Sequence, residues 1–322
     1  MSRILSGIQP SGKPHIGNYF GMIKSMIEFQ EKNEVFCFLA NYHAMTSSDD
    51  GPALKSNTIE AAIDIIALGL DPEKCFFWAQ SDIPEVTQLT WVLSCHTSLG
   101  LLERSHSYKD KVAHGIVPNA GLYTYPILMA ADILLYKSEF VPVGKDQKQH
   151  LEITRDIAQS FNTKFGETFV IPEPIISDEI AVIQGIDGQK MSKSYNNAIF
   201  IFEEEKELKK KIMRIVTDST PVEAPKNPDT CNVFALYKLF ADKNKIEEMR
   251  NQYTRGGMGY GDAKNKLFEL IWEYFRNARE KRKLLENNKD EVYDILKNGA
   301  NKTREIAIAT LEEVKKKVGL YY

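Results

Sequence analysis

Two lysines three positions apart, Lys190 and Lys193, frame Met191 and the hydroxyls of Ser192 and Ser194, after the turn Asp187-Gly188-Gln189 and before Tyr195-Asn196-Asn197. Ammonium and hydroxyl groups at that density on a loop suit closure over a polyphosphate. The plainer reading of the same composition is an exposed basic loop. A second cluster, Pro14-His15-Ile16-Gly17-Asn18, stands where a first strand hands over to a first helix. Gly17 would let a nucleotide approach the backbone, the free N–H groups of a helix start favour phosphate, and His15 can donate to a phosphate oxygen from either ring nitrogen. Alone, a His-x-Gly is more simply a turn histidine. Asp132 interrupts the apolar stretch from Ala120 to Tyr136, where an unpaired carboxylate is costly and a partner is required. A lysine, an arginine or a helix end would serve; so would a ligand with a single donor, an indole N–H or a phenol hydroxyl, which Asp132 by itself does not separate.

These groups need elements to hold them. Arg3 to Ile8 reads as a strand, followed by the turn Gln9-Pro10-Ser11-Gly12-Lys13-Pro14 and a helix from about Gly17 to Glu31. Val35 to Ala40 is a second strand, Asn57 to Leu70 a helix, and Cys75 to Ala79 a third strand. This βαβαβ order predicts a parallel sheet covered by helices. Phe140 to Val143 reads as a strand, Lys148 to Ser160 as a helix and Asn196 to Phe202 as a last extended piece. The turn Gly144-Lys145-Asp146-Gln147 then lies at a carboxyl end of the sheet, where ligands of doubly wound folds bind, and Asp146 could accept from ribose hydroxyls. Beyond Glu203 helical patterns dominate, which places a domain boundary near residue 202.

With 322 residues, 43% hydrophobic and 26% charged, the chain has the profile of a globular protein large enough for two domains. Cys37, Cys75, Cys95 and Cys231 form no CxxC pair, so no zinc site, other protein-held metal or disulfide framework is expected. The first residues lack a signal-peptide core, and the Ala120 to Tyr136 stretch contains Pro126 and Asp132, so a cytoplasmic protein without a membrane span is expected. Net charge is −3, but residues 1–202 carry −7 and residues 203–322 carry +4. A basic C-terminal third could meet phosphates; runs such as Lys209-Lys210-Lys211 equally suit a solvated helix face.

Lys190-Met191-Ser192-Lys193-Ser194 resembles, letter for letter, the KMSKS loop of class I aminoacyl-tRNA synthetases, and His15-Ile16-Gly17-Asn18 resembles their HIGH motif with Asn18 in place of the last histidine. Gly7-Ile8-Gln9-Pro10-Ser11-Gly12, Met129-Ala130-Ala131-Asp132-Ile133-Leu134 and Val143-Gly144-Lys145-Asp146-Gln147 narrow the resemblance to the bacterial tryptophanyl-tRNA synthetases. It is strong through residue 200 and rests on helical pattern and length beyond.

The resemblance implies an α/β fold: a Rossmann-like parallel-sheet catalytic domain with an inserted dimerisation region over 1–202, and a helical tRNA anticodon-binding domain over 203–322. It implies ATP as substrate with Mg2+, L-tryptophan and tRNA(Trp) as partners, and a homodimer. By the same resemblance Lys190, Ser192, Lys193 and His15 are catalytic. Gln9, Pro10, Ser11, Gly17, Asn18, Gly144, Lys145, Asp146, Ile183, Met191 and Ser194 join Lys190, Ser192 and Lys193 in binding ATP, Ile183 through its backbone. Asp132, Met129, Tyr125, His43 and Gln147 bind tryptophan, Gln147 near the ammonium group. A tyrosyl-tRNA synthetase, which shares both loops, and a non-catalytic synthetase-like regulator are the competing readings. The presence of both lysines speaks against the second.

Overall fold

Runs of Phe, Val, Ile and Leu without polar interruption can be buried on both faces, the condition for parallel strands covered by helices. The structure, a computed structural model, describes residues 1–46, 49–103, 119–144, 147–175 and 183–321. β1 (Arg3–Ile8), β2 (Glu34–Leu39), β3 (Cys75–Ala79), β4 (Phe140–Pro142) and β5 (Glu173–Ile175) form one parallel sheet in the order β3-β2-β1-β4-β5. In β2 every residue from Val35 to Leu39 is buried, and Phe36 stacks on Phe76 and Tyr136 at centroid distances of 4.5 and 5.3 Å. β1 and β3 have the expected bounds. β5 carries no periodic signal, being three residues centred on Pro174; it is an edge strand, where a missing N–H need break no ladder bond.

The helix expected to start at Asn57 starts at Gly51 and runs to Leu68. Its first turn reads like a loop, but the Asp50 side chain accepts from the Ala53 N–H at 2.9 Å and Pro52 occupies the opening turn. Asn119 caps the helix Ala120–Leu135 by accepting from the Leu122 N–H at 2.7 Å, and Pro126 is accommodated inside it. The helix Lys148–Phe165 outruns its expected end and stops at Gly166, whose φ is +83°. The helix expected from Gly17 to Glu31 is broken into Ile16–Asn18, a wider π-type turn at Tyr19–Ile23, and Lys24–Phe29.

The compact units do not follow a single cut near residue 202. One comprises Met1–Gly12, Met26–Asp178 and Leu285–Tyr322; the other comprises Lys13–Ser25 and Glu179–Leu284. In the first, the helix Lys289–Val318 lies against β3 so closely that a Cβ on Gly299 would overlap the Phe77 carbonyl oxygen. Arg304 on that helix donates through Nε to buried Glu85, at 2.9 and 3.1 Å from its two oxygens. In the second, Tyr19 and Phe20 meet Phe240, Tyr274 and Phe275 edge to face, with Phe20–Phe240 and Tyr19–Phe275 centroids 5.1 and 5.0 Å apart and the Tyr19 and Tyr274 hydroxyls 3.1 Å apart. Aromatic packing thus draws an early segment to helices that come much later in the chain. No described helix is long and apolar enough to cross a membrane.

Candidate active site

In the second unit the histidine turn is built by a reciprocal cap. The His15 N–H donates to Asn18 Oδ1 at 3.1 Å, and the Asn18 N–H donates to His15 Nδ1 at 3.2 Å. With Nδ1 accepting, a neutral imidazole carries its proton on Nε2, so of the two nitrogens available in principle only Nε2 remains a donor. Burial, and after it the charge of Lys193, lowers the His15 pKa to about 4, which keeps the ring neutral at pH 7. Asn18 spends its carbonyl on the cap, and its amide N–H groups are the donors it can offer in place of an imidazole. Gly17 donates its N–H to Met191 Sδ at 3.4 Å, and a Cβ there would come within 3.0 Å of the His15 ring.

The lysine loop closes a short hairpin in the same unit. Gln184 bridges Lys190, the Met191 N–H donates to the Ile183 carbonyl at 2.8 Å, and the Gly185 N–H donates to the Gln189 carbonyl at 2.7 Å. Gly188 takes φ +81° at the tip, and the Gln189 N–H donates to Asp187 Oδ1 at 3.0 Å. Asn197, 1% exposed, donates to Asp187 Oδ1 at 2.8 Å and to the Lys190 carbonyl at 3.0 Å, and accepts from the Ser192 N–H at 2.8 Å. Its amide, then the Gln189 N–H, holds the Asp187 carboxyl below the usual carboxylate range. The stretch from Asn196 to Phe202 is not the expected extended piece. Asn196 turns at φ +53°, and only Phe200 bridges, antiparallel, to His15. That bridge ties loop to turn: the Ile16 N–H donates to the Ile199 carbonyl at 2.9 Å and the Ile201 N–H to the Pro14 carbonyl at 3.1 Å. Lys190 and Ser194 are exposed, Ser192 and Lys193 half-buried, and Met191 is buried as the anchor.

The first unit holds the carboxylate. Asp132, 3% exposed on the Ala120–Leu135 helix, accepts from Gln80 Nε2 at 2.9 and 2.8 Å through its two oxygens, and its Oδ2 lies 2.9 Å from His43 Nε2. The required partners are therefore an amide and an imidazole, not a lysine or arginine. Burial raises the Asp132 pKa, opposed by the hydrogen bonds from His43 and Gln80. Gln80 is fixed in turn: its Oε1 accepts from the Tyr42 N–H at 3.0 Å and the His43 N–H at 3.4 Å. Tyr125 lies edge-on to His43 with centroids 6.2 Å apart, and its hydroxyl is 2.5 Å from Nε2 of buried His150. Met129, on the same helix, packs half-buried against the core. These side chains make a slot with an apolar flank and one buried acceptor, suited to a flat ligand carrying a single N–H or O–H.

Gln9, Ser11, Gly144 and Gln147 are exposed at the carboxyl ends of β1 and β4, with Pro10 buried between the first two, and the Gln147 N–H closes its turn on the Gly144 carbonyl at 2.9 Å. The ends of these adjacent strands, where the sheet order reverses, are where doubly wound folds place ligands. Lys145 and Asp146 lie outside the described residues. Sequence reading missed Asn197 as a clasp, and missed Gln80 and His150 altogether; no periodicity or charge marks an amide or a buried imidazole. Among the described residues no three His, Cys, Asp or Glu side chains gather as a metal cage.

A family model described as "tRNA synthetases class I (W and Y)" matches residues 1–276. The chain is 54% identical over 321 residues to the tryptophan–tRNA ligase of Fusobacterium nucleatum, covering 99% of this chain and 98% of that one. Among solved structures it is similar to the Campylobacter jejuni tryptophanyl-tRNA synthetase complexed with ADP and tryptophan, with a TM-score of 0.95 and 53% identity over 98% of this chain and 99% of that one. The Mycoplasma pneumoniae tryptophanyl-tRNA synthetase matches with a TM-score of 0.82 and 33% identity, over 100% of this chain and 98% of that one.

Proposed function

Because the chain belongs to the class I tRNA synthetases of the tryptophan and tyrosine group, we propose that its histidine turn and lysine loop handle ATP while Asp132 and its neighbours select the amino acid. The reaction is tryptophan–tRNA ligation: L-tryptophan is activated with ATP and then joined to its tRNA. In the first step a tryptophan carboxylate oxygen forms a bond to the α-phosphorus while the bond to the bridging oxygen breaks in line. Tryptophanyl-adenylate remains and pyrophosphate departs with the electron pair. In the second step a ribose hydroxyl of the terminal adenosine of tRNA(Trp) attacks the carbonyl carbon, and AMP leaves.

No protein nucleophile is needed, so the residues act by position and charge. Lys190 and Lys193 neutralise charge on the transferring group and the leaving pyrophosphate, with Ser192 and His15 Nε2–H as neutral donors. Gly17, Asn18, Met191, Ser194 and the Ile183 backbone frame the nucleotide, together with Gln9, Pro10, Ser11, Gly144, Lys145 and Asp146. Asp132 accepts the indole N–H, Met129, Tyr125 and His43 line the ring, and Gln147 meets the ammonium group. Mg2+ is assigned to the triphosphate rather than to a protein cage, and supplies charge neutralisation when bound. Residues 203–322 are assigned to the anticodon arm, with a cytoplasmic homodimer as the working form.

The observation that supports this reading best is the backbone tie between Pro14–Ile16 and Ile199–Ile201, which keeps His15 and the lysine loop in one unit. ATP–pyrophosphate exchange with tryptophan, tyrosine and phenylalanine supplied singly tests it. Exchange with tryptophan alone is expected. Exchange driven by tyrosine, or by none of the three in folded protein with magnesium, overturns it.

A further inference from the structure

We propose that Asn197 is the positioning residue of the lysine loop, setting where the Lys190 and Lys193 ammonium groups stand when ATP is bound; this rests on the activity assigned above. Both amide N–H groups and the amide oxygen of Asn197 are used, on Asp187 Oδ1, the Lys190 carbonyl and the Ser192 N–H. Two of those three contacts, on the Lys190 carbonyl and the Ser192 N–H, flank Met191, and the third grips the turn that precedes Lys190. None goes to a helix of the unit. At 1% exposure the amide has no water to fall back on, so loop and side chain enforce one another.

The space for that amide is kept by a glycine. A Cβ on Gly185 would lie 2.5 Å from Asn197 Cγ and 2.6 Å from its backbone oxygen. Behind the hairpin the Asn232 amide donates to the Gly185 carbonyl at 2.7 Å, the Val216 N–H donates to the Ile186 carbonyl at 2.8 Å, and the Ile186 N–H donates to the Asn197 carbonyl at 3.0 Å. The base of the loop is thereby anchored while Lys190 stays exposed. An amide that shapes this loop without touching substrate should govern the ATP step and leave amino-acid binding alone.

The test compares wild type with Asn197→Asp, Gly185→Ala and the double variant Asp187→Asn/Asn197→Asp. Pyrophosphate exchange gives kcat and KM for ATP, equilibrium dialysis gives the Kd for tryptophan without ATP, and thermal melts report folding. Asn197→Asp keeps the acceptor for Ser192 but turns an acceptor toward Asp187 and the Lys190 carbonyl. kcat/KM for ATP should fall at least tenfold, with the tryptophan Kd changed less than twofold. Gly185→Ala should reproduce that split by displacing the amide. The double variant, in which the new amide at 187 can donate to the new carboxylate at 197, should recover at least threefold of the loss. ATP parameters within twofold of wild type in both single variants, equal losses of ATP use and tryptophan affinity, or a double variant no better than Asn197→Asp would each overturn the assignment. Should Asn197→Asp fail to fold, Gly185→Ala decides alone. Wild-type protein that exchanges with no amino acid would instead bring down the activity itself.

Discussion

The lysine loop and the carboxylate slot solve opposite problems with the same kind of side chain. In the loop a buried amide, Asn197, organises backbone so that charged groups stand at the surface. In the slot a buried amide, Gln80, is itself organised by backbone so that it can hold a charged group away from water. Phosphate chemistry requires cations that reach a large, hydrated ligand. Recognition of an indole requires one buried acceptor held in a fixed place by its neighbours, so that a ligand N–H meets it in a single geometry. The contrast predicts separable kinetics: damage to the loop should appear in the use of ATP, and damage to the slot in the affinity for tryptophan.

The sharpest attempt to break that contrast is Lys193→Ala. Loss of one stabilising charge in a water-poor transition state is expected to slow adenylate formation by about a hundredfold, with tryptophan affinity within about twofold in equilibrium dialysis. Equal losses in both would show that the regions are not separable. Asp132→Ala should do the reverse, raising the KM for tryptophan about tenfold or more through loss of a charge-assisted hydrogen bond of roughly 1.5–3 kcal/mol. A KM for ATP that rose in parallel would defeat the distinction.

Gln80→Ala is milder and more diagnostic. It should raise the tryptophan KM only several-fold and lower stability by about 1–3 kcal/mol in denaturant titrations, since Asp132 keeps His43. The smallest effect concerns His15. The unfolded chain binds the imidazole proton up to about its ordinary value of 6.5, whereas the folded chain releases it down to about 4. Between those limits the unfolded state binds more protons, so stability falls as pH drops through that window and is fully present above it. The melting temperature of His15→Gln should depend less on pH than that of wild type between pH 4 and 6.5, and identical slopes would count against a neutral buried ring.

Legibility in the sequence followed the same divide. The sheet was readable because β3 is an uninterrupted apolar run, β2 is one from Val35 onward and β1 carries Ile4, Leu5 and Ile8 ahead of a Pro- and Gly-containing turn, and β5 was not because three residues around a proline have no period. The lysine loop was readable as a string of residue types, and Asp132 as a charge out of place. Their supports were not, since Asn197 and Gln80 acquire meaning only from partners as far as 52 residues away in the chain. The compact units interleave along the chain for a related reason: edge-to-face contacts of Tyr19 and Phe20 with Phe240, Tyr274 and Phe275, and the packing of Lys289–Val318 on β3, join segments that composition keeps apart.

The side-chainless contact of Gly299 with the Phe77 carbonyl also bears on how the protein is made. Glu85 and Arg304, which meet beside that contact, are 219 residues apart, so a ribosome delivers β3 long before the helix that shields it. Throughout that interval an aromatic edge strand awaits its cover, a nascent surface open to chaperones and to neighbouring chains. A chain released early, before Lys289–Val318 has emerged, would carry that edge permanently bare and become a substrate for quality control.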